Sequence, residues 1–365
     1  MKSTAVLALL PLIVFLIPWF LSLLSLVQGG LSNVVITETG SSLAYPVIEM
    51  WANEYSRLKP YVTVNAASTG SGMGIAQAGE GIVDIGASDI YIYKEELLRK
   101  YGDLVHIPIF IGGVGVTYNI PELGNLTLNM TADILAGIYM GEVVYWDDPA
   151  LKSANPGVKL PHKKITPIYR SDSSGTTFLF TAWLTVTSKK WKVGYGKKVK
   201  WPVGIGAEGS QGLIELVKQT PYSIGYVGIA WAKESGLPLA AVYNPTSRVF
   251  VAPSVKTLVS AAKNAFKAGL IPRDMRGSGA KVPLFNAPGK DSYPIAGFIY
   301  FLVKADQTGK PTEVATALKE FLLWVVDPVG GQKYVSIFSY GPLPDEVAQL
   351  VKGVIENEIQ WPGGV

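Results

Sequence analysis

The chain contains no cysteine and only two histidines among its 365 residues. The absence of cysteine excludes disulfide-stabilised scaffolds, thiolate metal sites, cysteine nucleophiles and an anchor built on a lipidated cysteine. Two histidines argue against a histidine-rich metal centre. Charge is also sparse, because charged residues make up 16% of the chain and the formal net charge is only +4. That composition argues against a nucleic-acid-binding protein, which would carry dense basic tracts.

Hydrophobic residues (48%) and glycine (39 residues) are abundant instead. The hydrophobic content is sufficient for packed cores, and a chain of this length suits about two domains. Glycine exceeds its usual share of about 7% of residues. The positions of the glycines are therefore informative about local structure.

The N-terminal segment accounts for part of the hydrophobicity. Residues 4–28 carry no charge and follow Lys2, and this length is enough to cross a bilayer. Residues 1–30 are therefore either a signal peptide or an uncleaved N-terminal membrane anchor. Both alternatives place the rest of the chain outside the cytoplasm.

The remainder of the chain alternates between strand-like and helix-like patterns. The predicted strands are Val34–Thr37, Val62–Ala67, Ile82–Ala87, Val105–Tyr118 and Lys164–Tyr169. The predicted helices are the amphipathic stretch from Ala44 to Leu58 and the segments Glu95–Tyr101, Ala132–Met140, Phe178–Val186, Gly212–Lys218 and Val314–Val326. This alternation is typical of an α/β fold with mostly parallel sheets.

Three loops rich in serine, threonine and glycine lie between a predicted strand and the helix that follows it. They are the first loop (Glu38–Ser42), the second loop (Ser68–Gly74) and the third loop (Arg170–Thr177). The N–H groups at a helix N-terminus lack intrahelical partners and bear a partial positive charge, so such an end binds anions. Three of these ends together predict an oxyanion site. The alternative is that each hydroxyl only caps its own helix.

Charged residues refine this hypothesis. Arg170 and Asp172 suit a guanidinium that grips an oxyanion and is oriented by a carboxylate, although such a pair can also be a surface ion pair. Asp89 follows the apolar run 82–88, at a strand end where α/β proteins bind ligands. A carboxylate there favours an anion that carries a proton, such as phosphate, over sulfate. The alternative is that Asp89 caps the segment Tyr91–Leu98.

Other motifs do not predict an enzyme. Gly204–Gly209 matches the dinucleotide fingerprint, but no acidic residue follows at the required distance after a second strand. His106 lies in an apolar run and is predicted to be a core residue, while His162 lies in a lysine-rich loop and is predicted to be exposed. Ser71 or Ser174 could serve as a nucleophile, but no base is identifiable near either. No catalytic residue, cofactor or metal ligand is predicted.

The ordered motifs resemble those of the phosphate-binding proteins of ABC-type phosphate importers. The resemblance covers nearly all of the chain after about residue 33. It rests on Thr39–Pro46, Gly70–Gly74, Asp84–Asp89, Arg170–Phe178, Trp146–Asp148, Asn155–Gly157, Lys200–Gly204 and Ile224–Val227. Any one of these motifs is weak, but the ordered set is specific.

The resemblance implies a type II periplasmic-binding-protein fold with two α/β lobes and a hinge. Lobe I would comprise residues 33–110 and 293–365, and lobe II residues 111–292. Asp89 would accept the phosphate proton, Arg170 would grip the anion, and Asp172 would orient Arg170. The remaining implied contacts are the backbone N–H groups of Ala44, Tyr45 and Gly175 and the hydroxyl-bearing residues Ser71, Ser174 and Thr176.

The sequence departs from the family at Ala44, where threonine is common, so one hydroxyl contact is missing. Ser42 is a candidate replacement, and Tyr45 keeps the aromatic side chain of the family phenylalanine. The implied function is extracytoplasmic capture of inorganic phosphate and its delivery to the ABC permease and its ATPase. The alternative is a secreted phosphatase or phosphate-ester hydrolase on the same scaffold.

Overall fold

A computed structural model describes residues 33–92, 94–101, 103–271, 284–363 and 365. The segment 1–30, predicted to be a signal peptide or membrane anchor, lies outside the described residues. Within the described part of the chain, no helix combines the length and the apolar character needed to cross a bilayer.

Twelve helices and eleven strands alternate along the described residues. The helices are α1 (Tyr45–Leu58), α2 (Ser71–Glu80), α3 (Glu95–Tyr101), α4 (Ala132–Met140), α5 (Pro149–Ala154), α6 (Gly175–Thr187), α7 (Gly209–Gln219), α8 (Ile229–Glu234), α9 (Val255–Lys267), α10 (Thr312–Val326), α11 (Gln332–Val335) and α12 (Asp345–Asn357). The strands are β1 (Val34–Gly40), β2 (Val62–Ser68), β3 (Ile85–Ser88), β4 (Leu104–Asn119), β5 (Asn129–Met130), β6 (Thr166–Arg170), β7 (Ile205–Ala207), β8 (Ser223–Gly228), β9 (Ala241–Asn244), β10 (Val249–Val251) and β11 (Ala296–Lys304).

Eight strands form one mixed sheet in the order β2-β1-β3-β11-β4-β8-β6-β7, and β10-β9-β5 form a smaller sheet. Parallel pairs occur toward both ends of the large sheet, between β1 and β2, β1 and β3, β6 and β8, and β6 and β7. Antiparallel pairs occupy the middle, where β11 joins β3 to β4 and β4 joins β8. The predicted α/β class is therefore confirmed, with an antiparallel centre between parallel ends.

The long strand β4 connects the two ends of this sheet. Leu104–Gly113 pairs with β11, whereas Val114–Asn119 pairs with β8. We call β2, β1, β3, β11 and the start of β4 the first half of the sheet, and the end of β4 with β8, β6 and β7 the second half. The lobe boundaries at residues 110 and 293 stay a prediction.

Aromatic side chains form the core beneath each half. In the first half Trp51 is fully buried, with ring centroids 5.9 Å from Phe110 and 6.1 Å from Phe301. In the second half Tyr226 stacks on Phe180 at 4.5 Å. Aromatic contacts of this kind combine a large buried area with defined ring geometry. They give both halves a rigid base for the loops above them.

Most predicted elements are present, with shifted ends. The helix predicted from Phe178 begins at Gly175, and the helix predicted from Gly212 begins at Gly209. Glycine, serine and threonine in a first helical turn carry no apolar periodicity, so the pattern placed both starts too late. The strand predicted from Ile82 begins at Ile85, because the Ile82 N–H still bonds to the Gln77 carbonyl (2.8 Å) and completes α2.

Candidate anion-binding site

The first and second loops meet at the carboxyl ends of the parallel strands β1, β2 and β3. The Gly70 N–H donates to the Gly40 carbonyl (2.7 Å), and the Ser41 N–H donates to the Ala87 carbonyl (3.0 Å). Gly40 has φ +144°, and a Cβ there would lie 2.1 Å from the Ala87 oxygen. Only glycine permits this turn, which brings the first loop against the end of β3.

The third loop, from the second half, packs directly on this arrangement. The Gly72 N–H donates to the Ser173 carbonyl at 3.1 Å. A Cβ at Gly175 would lie 2.4 Å from Ser71 Oγ and 2.7 Å from Asp89 Cβ. The absence of a side chain at Gly175 therefore allows the N-terminus of α6 to contact Asp89 across the two halves.

Four helix N-termini converge on this region, those of α1, α2, α6 and α7. Ser71 and Gly175 are the first residues of α2 and α6, and Ser210 is the second residue of α7. Each end carries a partial positive charge, although several of its first N–H groups are already paired within the loops, such as Ala44 with Ser41 and Gly72 with Ser173. The region therefore has the electrostatic character of an anion site.

Asp89 lies at the centre of this cluster and is 2% exposed. Its carboxylate accepts hydrogen bonds from the Ser41 hydroxyl in the first loop and from Thr176 Oγ1 (2.8 Å) in α6. Burial raises the pKa of the Asp89 carboxyl, and the bonds from Ser41 and Thr176 and the charge of Arg170 offset only part of that effect. The Asp89 carboxylate bonds to Ser41 and Thr176, and the next helix, α3, begins only at Glu95, so the structure favours a role in the loop cluster over the capping alternative.

Ser71 and Ser174 use their hydroxyl groups differently. Ser71 Oγ accepts the Asp89 N–H at 3.2 Å and so connects the second loop to the end of β3. Ser174 Oγ accepts the Thr177 N–H at 3.1 Å, which caps α6. Ser174 thus follows the capping alternative, while Ser71 bonds outside its own helix.

Arg170 and Asp172 form a buried bidentate pair. Arg170 Nε donates to Asp172 Oδ1 (2.6 Å), and Nη2 donates to Asp172 Oδ2 (2.5 Å). The Arg170 side chain is only 1% exposed. Burial alone would raise the pKa of Asp172, but the hydrogen bonds and charge of Arg170, with the Gly209 N–H, hold that pKa below its ordinary value. The pair is therefore a buried ion pair and not a surface one.

Tyr226 fixes the backbone of the third loop. Its hydroxyl accepts the Arg170 N–H (3.1 Å) and lies 2.7 Å from Thr177 Oγ1. The ring is held by stacking on Phe180 and Trp201. The aromatic core of the second half thereby sets the position of the Arg170 backbone.

Ser42 and Ser210 connect this guanidinium to the first loop. Arg170 Nη1 donates to Ser210 Oγ (3.2 Å), and Ser210 Oγ lies 2.9 Å from Ser42 Oγ. Ser42 belongs to the first half and Ser210 to the second. The hydroxyl of Ser42 thus lies within the Arg170 network, whereas Ala44 presents only a methyl group.

Ala44 and Tyr45 lie at the start of α1, and both donate within the first loop. The Ala44 N–H donates to Ser41 Oγ (3.0 Å), and the Tyr45 N–H donates to the Ser41 carbonyl (3.1 Å). The Tyr45 hydroxyl bonds to Glu49 at 3.3 Å. These N–H groups therefore point into the loop and are paired there.

The structure brings all ten sequence-predicted residues to one region, and it adds three to which the sequence assigned no site role: Ser41 of the first loop, Tyr226 of the motif Ile224–Val227, and Ser210. Ser210 is the second residue of α7, at the end of the strand-to-helix turn from β7, and this turn contains glycine and serine like the three loops. That turn was interpreted only as a false dinucleotide fingerprint. Its serine and glycine content is the signal that identifies Ser210.

The remaining titratable candidates lie elsewhere. His106 is buried, and its Nε2 accepts the Ile92 N–H at 3.1 Å, while His162 is exposed and pairs with Asp147 at 3.0 Å. The core and surface predictions for the two histidines are confirmed. Over the ranges that the structure covers, no three acidic or histidine side chains form a group able to hold a metal ion.

Comparison with known proteins agrees with this arrangement. The chain matches the model of the PBP superfamily domain over residues 28–329. It is 39% identical to the phosphate-binding protein PstS of Methanocaldococcus jannaschii over 336 residues, 87% of this chain and 85% of that protein. It is 36% identical to PstS of Pasteurella multocida over 331 residues, 90% and 92% of the two chains. The phosphate-binding protein of Stenotrophomonas maltophilia has the same fold, with a TM-score of 0.63 at 20% identity over 87% of this chain and 93% of that one.

The mixed eight-stranded α/β fold and the match to the PBP superfamily domain define the class as that of the periplasmic-binding-protein-like proteins. The chain belongs to the family of PstS phosphate-binding proteins within this superfamily. The resemblance inferred from the sequence motifs is therefore confirmed. The relatives are named as binding proteins, and nothing in these comparisons supports the phosphatase alternative.

Proposed function

We propose that the protein captures inorganic phosphate between the two halves of its large sheet and delivers it to an ABC permease. The observation that carries this proposal is the buried Asp89 carboxylate, placed among four helix N-termini beside the Arg170–Asp172 pair. The N-termini and Arg170 attract an anion, while Asp89 accepts a hydrogen bond from one that carries a proton.

This combination favours phosphate over sulfate. Phosphate at neutral pH carries at least one proton, which it can donate to Asp89, whereas sulfate carries none and would place a lone pair against the carboxylate. The raised pKa of Asp89 makes its carboxylate a better proton acceptor. A contact between the carboxylate and an unprotonated sulfate oxygen costs more binding free energy than the hydrogen bond from phosphate gains. Asp89 therefore acts mainly by excluding sulfate.

The remaining residues supply dipoles around the anion. We assign donor roles to the hydroxyls of Ser71 and Ser174 and to the Gly175 N–H. The Thr176 hydroxyl donates to Asp89, so it joins them only when the anion replaces Asp89 as its acceptor. For Ala44 and Tyr45 to donate as well, the anion must replace the Ser41 oxygen atoms as their acceptors. Ser42 supports the site through Ser210, and Asp172 through Arg170.

The two halves of the sheet are proposed to be the two lobes, with β4 and the entry to β11 as crossings. Closure of the lobes excludes water from the anion and strengthens its hydrogen bonds. Thr176 and Ser210 from the second half and Asp89 and Ser42 from the first half meet at this closure. The protein would act by binding alone, as the names of its relatives as binding proteins suggest.

We place this function outside the cytoplasm, with the permease and its ATPase as partners. An uncleaved segment 1–30 would tether the protein to the membrane, and a cleaved one would release it. No nucleic acid, metal or cofactor takes part.

Calorimetry with phosphate, sulfate and arsenate tests the proposal. We expect phosphate to bind with a Kd of about 1 μM or tighter, equivalent to about −8 kcal/mol. Arsenate, which is also protonated at neutral pH, should compete, and sulfate should give no heat at the same concentrations. Absence of phosphate binding at micromolar protein would refute the function.

A further inference from the structure

Trp231 makes a hydrogen bond between the two halves that lies outside the anion network. It belongs to α8 in the second half, and its indole Nε1 donates to the carbonyl oxygen of Ser42 at 2.7 Å. Ser42 lies in the first loop, 189 positions away along the chain. The bond therefore joins α8 to the loop that leads into α1.

Core packing accounts for only part of the position of this side chain, because the ring packs against the buried cluster that includes Leu213 and Val217 but also borders open space. Trp231 is only partly buried and borders a cavity of about 370 Å³. Tyr45 and Pro46 line the same cavity from the first half, and Gln211 lines it from the second. Packing restrains the ring within the second half, and the bond to Ser42 connects it to the first half.

Ser42 thus receives two contacts from the second half, one on each of its polar groups. Its hydroxyl reaches Ser210 and through it Arg170, while its carbonyl oxygen accepts from Trp231. Both contacts require that the halves lie together. The hydroxyl contact belongs to the anion network, and the Trp231 contact does not.

We infer that Trp231 is a positioning residue that sets phosphate affinity by stabilising the closed arrangement of the two halves, without touching the anion. The inference rests on the proposed function. A contact made only in the closed state raises the population of that state, and the apparent affinity of a ligand rises with the population of the form that binds it. The hydrogen bond to Ser42 is such a contact.

The variant Trp231→Phe removes the indole N–H and keeps an aromatic ring. Trp191→Phe is the matched control, because Trp191 Nε1 donates to the Gly194 carbonyl at the same distance of 2.7 Å, with both residues in the second half. For one hydrogen bond, we expect Trp231→Phe to raise the phosphate Kd by about 3- to 10-fold, mainly through faster dissociation. Trp191→Phe should leave the phosphate Kd and the dissociation rate unchanged.

Solvent exchange of the indole N–H groups, followed by NMR on the full-length wild-type protein, gives a second readout that needs no variant. Phosphate should slow exchange at Trp231 and leave Trp191 as it was. The inference is overturned if Trp231→Phe binds phosphate as tightly as the wild type, or if Trp191→Phe weakens binding to the same extent. It is also overturned if phosphate does not change the exchange rate of the Trp231 indole N–H in a wild type that binds phosphate. A wild type that does not bind phosphate refutes the proposed function itself, and the inference with it.

Discussion

Thr176 Oγ1 donates a 2.8 Å hydrogen bond to Asp89 Oδ2, although 87 positions separate the two residues. Thr176 lies in the first turn of α6 in the second half, and Asp89 follows β3 in the first half. The acidic centre of the site is therefore completed by a residue from the opposite half. In the proposed function, this bond couples phosphate binding at Asp89 to closure of the two halves.

Asp89→Asn should reduce the preference for phosphate over sulfate. The amide is nearly isosteric, but it removes the negative charge and offers an N–H that sulfate can accept. We expect phosphate affinity to fall by about 10- to 100-fold, the loss of one charge-assisted hydrogen bond, and sulfate binding to become measurable. Calorimetry with both anions measures the two affinities. Asp291→Asn is the control, because Asp291 is exposed. Unchanged selectivity would show that Asp89 is not the proton acceptor.

Arg170→Ala should weaken phosphate binding by several kcal/mol, or at least about 100-fold. The substitution removes charge-assisted hydrogen bonds in a buried site and leaves the Asp172 carboxylate unpaired. Arg57→Ala is the control, because the Arg57 side chain is 77% exposed. Calorimetry at constant ionic strength provides the measurement. Near-normal affinity in Arg170→Ala would place the third loop outside the site.

Local sequence patterns identified the residues that stand where a strand ends or a helix begins. Asp89 follows an apolar run, and Ser71 and Thr176 lie in loops whose composition suits helix N-termini. Their position along the chain was therefore sufficient to predict them as site residues. Tyr226 contacts the Arg170 N–H from 56 positions away. No local pattern shows which face of a distant strand carries such a contact, because tertiary packing decides it.

The antiparallel centre of the sheet was beyond prediction for a related reason. The apolar run that forms β4 is buried at every position from Leu104 to Tyr118. A strand that is covered on both faces shows no alternation of apolar and polar residues, and its composition does not reveal whether its neighbours run parallel or antiparallel to it. The pairing of β4 with β11 in one half and with β8 in the other depends on contacts far apart in sequence.

Ser210→Ala should weaken phosphate binding although Ser210 appears in no site motif. Ser210 Oγ accepts from Arg170 Nη1 and bonds to Ser42, so its loss frees one arm of the guanidinium and removes a contact between the halves. We expect about a 3- to 10-fold rise in the phosphate Kd. Ser254→Ala is the control, because Ser254 only caps α9, and it should cost about 1 kcal/mol of stability without changing affinity. If Ser210→Ala binds phosphate with the same Kd as Ser254→Ala, Ser210 does not support the site.

Asp84→Asn should destabilise the protein in a pH-dependent way. Asp84 accepts hydrogen bonds from the Thr37 N–H and hydroxyl, both at 2.8 Å, and from Lys310. Burial alone would raise the pKa of Asp84, but Lys310 and Thr37 hold it below its ordinary value. A lowered pKa contributes stability that is present above the unfolded-state pKa of about 3.9 and is lost as the pH falls through the lower folded-state value. Urea unfolding should therefore show a loss of about 1–3 kcal/mol at pH 7 that shrinks as the pH is lowered below the unfolded-state pKa of about 3.9. Asp291→Asn removes one partner of an exposed ion pair with Lys256 and should change stability little at either pH. A loss of equal size at both pH values would mean that the Asp84 charge contributes nothing and that only its shape matters.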